Sequence, residues 1–293
     1  MVDIFSKITD RIIELLEAGV VPWRQPWSGA LPTNLASMKA YRGINFLLLG
    51  CLGFESNYWI TYKQAQKLGG GIKAGEKSPA FVVYTDNWIT KKKLPDGTEE
   101  EEVRRFLKYT PVFNFSQCHG IEAPEQEERD IKPLDICTAF MNGLKEQPRI
   151  EIGQLAAYIP SQDKIVMPAM KHFRDAESYH ASLFHELTHW TGSGQRLNRP
   201  LIHFTADRKA YAKEELVAEM GAAFLCAKCH IDTATLENSA AYIDNWIKAL
   251  CNDRRLVPEA AKSARIAVEY LEAGAIPASS TSSLTPIAAL VTA

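Results

Sequence analysis

The chain has 293 residues, 46% hydrophobic and 23% charged, with a formal net charge of -2. That is globular composition with enough apolar mass for one large domain or two smaller ones, and it excludes a protein that grips nucleic acid by bulk positive charge. The charge is uneven. Residues 1–117 carry 15 Lys and Arg against 12 Asp and Glu, four of those acids packed at Glu99–Glu102, while the remainder carries 18 against 23. Away from that acidic run the first part is basic, which points to a nucleic-acid or other anionic partner.

At the N-terminus Ile4, Ile8, Ile12, Leu15 and Leu16 follow helical spacing, ending at Gly19, and the stretch lacks the basic region and apolar run of a secretion signal. VVPWRQPWSGALPTN follows and cannot be helical throughout. A short helix is expected around 45–52, and Thr61 is placed to cap another over 62–68 that three glycines stop. AFVVYTDNWIT and VRRFLKYTPVFNF read as two strands joined by a turn at Asp96-Gly97, with Lys and Glu runs facing each other. The polar, acidic HGIEAPEQEERDIKPLD reads as a linker. QLAAYIPSQDKIVMP reads as a second hairpin, and helical patterns follow around 175–192, 210–229, 238–252 and 258–273.

The organisation predicted is α/β (α+β), with domains over 1–118 and 135–275, a linker over 119–134 and a flexible tail over 276–293. The longest apolar patch, NFLLLGCLGF, is too short and glycine-broken to cross a bilayer, so no membrane association is expected. Six scattered cysteines read as free thiols in a reducing cytoplasm. Cys226 to His230 matches C-x-x-C-H, but a haem site would require export, and no second C-x-x-C supports a zinc knuckle.

The segment HELTH carries the sharpest chemistry. In a helix, His185 and His189 project from one face and can offer two imidazoles to one metal, while Glu186 is placed as general base toward a water that the metal acidifies. Phe184, Leu187 and Trp190 can bury the other faces, and Gly192 can end the helix. A catalytic zinc takes three protein ligands. YAKEELVAEMGAAFL offers Glu214, Glu215 and Glu219 on a helix whose small residues permit close packing. Glu215-Leu216-Val217-Ala218-Glu219 resembles the E-x-x-A-D/N pattern of gluzincin metallopeptidases. That resemblance implies Glu215 as third ligand and Glu219 as the group orienting His185, with Glu219 standing where the pattern has Asp or Asn; Glu214 is the reserve ligand. Zn2+ is the expected ion, with another divalent metal such as Mn2+ an alternative. An edge strand in AAYIPSQDKIVMP is expected beside the metal, and His180, His203, Tyr179 and Tyr211 are open choices for an oxyanion stabiliser.

In the first part Trp23, Arg24, Trp27, Tyr41, Arg42, Tyr58, Trp59, Tyr62 and Lys63 interleave rings with cations. Such a set suits single-stranded DNA, whose bases stack on rings while phosphates pair with Arg and Lys. A Trp-rich core explains the same residues equally well.

Taken in order, PWRQPW, YRGIN, YWITYKQAQKLGG, IKAGEKS, YTPVFN, LFHELTHWTG and EELVAEMGAAFL resemble the plasmid-encoded ArdC antirestriction proteins, and also the N-terminal part of TraC-type conjugal DNA primases. The resemblance implies an N-terminal single-stranded-DNA-binding domain, a zincin-like metallopeptidase domain, and protection of incoming conjugative plasmid DNA from host restriction. A protein met near DNA is the implied peptidase substrate. The rival expectation is a protein that coats DNA and keeps the metal centre as a structural or vestigial feature.

Overall fold

The protein, a computed structural model, is described over residues 3–23, 31–54, 56–93, 99–122, 124, 133–173, 175–199, 208–231 and 240–274. Helix α1 (Ile4–Glu17) starts where Asp3 accepts a hydrogen bond from the Phe5 amide, and it is left through Gly19 at a φ of 78°. Strands β1 (Thr33–Asn34) and β2 (Lys39–Ala40) form a small antiparallel pair ahead of α2 (Ile44–Gly50). Then come β3 (Tyr58–Ile60) and α3 (Tyr62–Lys67). Thr61 caps α3 reciprocally with Gln64, as the S/T-x-x-E/Q spacing predicts.

Strand β4 (Gly71–Ile72) leads to the long hairpin β5 (Ala80–Lys93) and β6 (Glu99–Asn114), and β7 (Cys118–His119) returns to pair with β4. The hairpin is the one expected. Its backbone register places Lys91, Lys92 and Lys93 opposite Glu101, Glu100 and Glu99; the turn at 94–98 lies outside the described residues. The five-stranded sheet has the order β2-β1-β3-β6-β5. Its two- and three-residue strands carry no period in the sequence, so they were not foreseen.

Helix α4 (Pro133–Asn142) and strand β8 (Arg149–Ile152) were also unforeseen. The second hairpin is present as β9 (Ala157–Ile159) and β10 (Lys164–Met167), and β8 pairs parallel with β10 to give the order β8-β10-β9. That leaves β9 at the edge. Four helices complete the fold: α5 (Ala176–Thr191), α6 (Arg208–Lys228), α7 (Ala240–Asn252) and α8 (Leu256–Gly274). Each lies within a few residues of its predicted span. Asp175 caps α5 by accepting from the Ser178 amide at 2.8 Å.

The core does not respect the two predicted segments. One apolar cluster joins Ile8, Ile12 and Leu16 of α1 and Phe46 and Leu47 of α2 to Leu183 and Phe184 of α5, Phe224 of α6 and Val257 of α8. α1 packs on α7 and α8, and α2 packs on α8. The linker's centre, 125–132, and the tail lie outside the described residues. No helix among the described residues is long and apolar enough to cross a membrane. All six cysteines are free thiols, five of them buried.

Candidate metal centre

The site forms where α5 and α6 cross. Gly221 on α6 faces Thr188 on α5, and a Cβ at Gly221 would sit 2.5 Å from both Thr188 Cγ2 and Thr188 Oγ1. Only a residue without a side chain allows this approach. The crossing carries Glu214 and Glu215, less than two turns up α6, onto the face of α5 that bears His185 and His189.

His185 Nε2 and His189 Nε2 stand 3.2 Å apart, and Glu215 carboxylate oxygens lie 3.6 Å and 3.5 Å from them. Among the described residues this is the one group of three whose donor atoms converge this way. A tetrahedral ion with ligand bonds of about 2.0–2.2 Å needs ligand atoms about 3.3–3.6 Å apart. The His–His separation lies just under that range and the two Glu215 distances, one to each carboxylate oxygen, lie within it; two imidazole nitrogens with a carboxylate suit a borderline divalent ion.

Glu214 is not a reserve ligand in this geometry. It lies behind the ring, its Oε1 3.3 Å from His189 Nδ1, while Nε2 on the other side faces Glu215. Arg199 holds Glu214 in turn, through Nη2 at 2.8 Å and Nε at 3.1 Å. The same guanidinium donates to the Thr188 carbonyl at 2.6 Å and to Thr191 Oγ1 at 2.8 Å, so it ties the end of α5 to α6. Sequence reasoning missed Arg199, which sits in a loop and belongs to no periodic pattern. Burial alone would depress the His189 pKa, but Glu214 and Glu215 outweigh it and hold the imidazole at about 9. Burial would likewise raise the Glu215 carboxyl, yet His185 and His189 pull it well below the usual carboxylate range.

Glu186 is buried and accepts the backbone N–H of Tyr158, on edge strand β9, at 2.7 Å. The Tyr158 hydroxyl donates to Asp163 Oδ1 at 2.8 Å, and Asp163 is paired with the fully buried Arg196 side chain. Arg196 lies 3.8 Å over the Trp190 ring and donates to the Trp190 carbonyl at 2.7 Å. This network locks the edge strand to the end of α5. Of the described residues weighed for an oxyanion role, Tyr211 is the one placed at the centre, its hydroxyl hydrogen-bonded to Glu215 and its pKa raised by burial first and then by Glu215. His180 is a core residue beside Phe184, and Tyr179 packs edge-on against Phe173. His203 lies outside the described residues. Glu219 follows one turn after Glu215 on α6.

The aromatic set of the first part is divided. Trp23 and Trp59 are 1% and 2% exposed, Trp23 edge-on to Trp246 and Trp59 edge-on to Phe54. This corrects the expectation that they present stacking faces: here the core explanation holds. Arg24 and Trp27 lie outside the described residues. Tyr41 and Tyr58 are half-buried, while Arg42, Tyr62 and Lys63 are exposed. Asn34 joins part of the set, its amide donating to the Tyr41 hydroxyl at 2.9 Å and to Gln64 of α3 at 3.3 Å. Further exposed rings sit on the long hairpin at Tyr84, Phe106 and Tyr109, which the sequence reading assigned only to a strand pair.

Fold and site together define a zincin-like domain preceded by a mixed helix-and-sheet segment. A family of zincin-like metallopeptidases matches residues 137–263, and the N-terminal domain of anti-restriction factor ArdC matches residues 2–113. The chain belongs to the ArdC antirestriction family. It is 36% identical to a crystal structure of the antirestriction ArdC protein from plasmid R388 in its metal-free form, covering 93% of this chain and 98% of that one with a TM-score of 0.72. An Mn(II)-bound structure of the R388 protein matches at 37% identity over 94% and 99%, again with a TM-score of 0.72. The uncharacterized protein y4eC of Sinorhizobium fredii is 33% identical over 92% of each chain. DNA primase TraC of Escherichia coli is 32% identical over 85% of this chain, which spans only 25% of that protein.

Proposed function

We propose that this protein binds single-stranded DNA through its first segment, carries a divalent-metal peptidase centre in its second, and protects entering plasmid DNA from restriction. The observation that carries the peptidase part is the convergence of His185, His189 and Glu215 beside Glu186, which is itself held by edge strand β9. The family membership and the exposed Arg42, Tyr62 and Lys63 support the DNA part.

His185 Nε2, His189 Nε2 and a Glu215 oxygen would hold the ion. Zn2+ fits this donor set, and the Mn(II)-bound relative makes Mn2+ the first alternative. When bound, the ion polarises the scissile carbonyl and acidifies the attacking water. An extended substrate pairs with the edge of β9. Glu186 keeps Oε2 on the Tyr158 amide, so Oε1 is the atom that takes a proton from the water and returns it to the leaving amine. The Tyr211 hydroxyl donates to the developing oxyanion. Glu219 orients His185.

Glu186→Gln tests the reading, because it keeps size and packing and removes only the base. Metal content should match wild type while proteolysis and antirestriction in conjugation assays fall together, by at least about a hundredfold in rate. Full antirestriction by this variant would make the metal centre structural and leave DNA coating as the activity.

A further inference from the structure

We propose that the cleft between the Tyr41-Arg42-Gly43 turn and helices α6 and α8 receives one pyrimidine nucleotide of a DNA single strand. This rests on the DNA-binding reading given above. The cleft measures about 130 Å³. An apolar cavity of about 150 Å³ holds a single benzene, so one six-membered ring matches the size of this cleft.

The floor is apolar. Phe46 and Phe224 meet edge to face with ring centres 5.2 Å apart, and Leu31 and Val268 line the space beside them. The mouth is charged. Arg42, Lys228 and Arg265 stand there against Glu269 and Glu272, one cation in excess. Arg265 donates to Glu269 and Lys228 to Glu272, each at 2.5 Å. Arg42 is held more loosely, 3.6 Å from Glu269 with its side chain 63% exposed, so its guanidinium can turn to a phosphate. The Tyr41 hydroxyl is fixed by Asn34, which sets its ring at the rim. An apolar slot of single-ring size under an exposed guanidinium suits a pyrimidine base with its phosphate. Tyr41 and Arg42 are also two residues that the sequence singles out for DNA. Phe224 and Lys228 belong to α6, so a seated nucleotide touches the helix that bears Glu215.

The test is fluorescence anisotropy of the full-length protein with labelled oligothymidine and oligodeoxyadenosine. It uses wild type, Ala40→Phe, which blocks the mouth from an exposed position, and Val268→Phe, which fills the floor. Wild type should bind the thymidine tract at least fivefold tighter than the adenosine tract. Ala40→Phe should weaken thymidine-tract binding at least fivefold and erase the preference, with metal content and melting temperature unchanged; Val268→Phe, which also overpacks a buried position, should weaken binding and erase the preference alike. Wild-type affinity and preference in Ala40→Phe, with salt-sensitive binding intact, would overturn the cleft while leaving DNA binding in place. Absence of any salt-sensitive binding by wild type would remove both.

Discussion

Arg199 supports the candidate metal site without being one of its ligands. It reaches Glu214, Thr188 and Thr191 together, and Glu214 reaches His189. Arg199→Met and Glu214→Gln should each weaken metal binding about 10–100-fold in a chelator competition, the scale for groups that orient a ligand. The double variant should lose little more than either single one, since both act through one hydrogen bond. Asp163 makes a separate case. Arg196 first, and then the Tyr158 hydroxyl, hold its carboxyl below the usual range against the opposing effect of burial. A depressed carboxyl contributes stability that is full above the unfolded pKa and is lost as pH falls through the folded one. Asp163→Asn should therefore cost about 1 kcal/mol at pH 7, since the carboxylate is more than a third exposed and water screens its pairing. The gap to wild type should close in denaturant titrations taken progressively below about pH 4. His185, Glu186 and His189 were legible because their spacing is the helix period. Glu215 was legible only through a family pattern, and the Glu214–Arg199 pair was not, because a loop arginine ten residues past a histidine carries no periodic mark.

At the scale of elements, the crossing of α5 and α6 decides whether there is a site at all. Gly221→Ala would drive a methyl into Thr188, and overpacking of this kind costs about 1–3 kcal/mol. Metal affinity should fall with it, because the helices must separate and Glu215 moves with α6. Thr188→Ala in the same chain should recover a large part of both losses, measured by thermal melting and metal competition. The helices themselves were readable from apolar spacing, caps and stops: Thr61, Gly19 and Gly192 all stand where a helix begins or ends. The short strands were not, since two residues cannot display a period of two. Position of the edge strand was legible, but its coupling to Glu186 was not, for it runs through the backbone N–H of Tyr158 and no side-chain pattern marks it.

For the molecule as a whole, composition shifts and the acidic stretch after residue 119 suggest two units, whereas packing ties them into one interior. Ile8, Ile12, Leu16, Phe46 and Leu47 from the first segment are buried with residues of α5, α6 and α8. Sequence marks linkers by polarity, but it does not say against what a preceding helix turns its apolar face. Fragments 1–118 and 135–275 expressed separately should each be insoluble or bind the reporter dye for exposed apolar surface, while co-expression should recover a soluble complex. Two halves that complete each other's interior must also be inherited together. A recombination joint between residues 119 and 134 would give each descendant an open greasy flank. The match to the much longer TraC primase spans 85% of this chain.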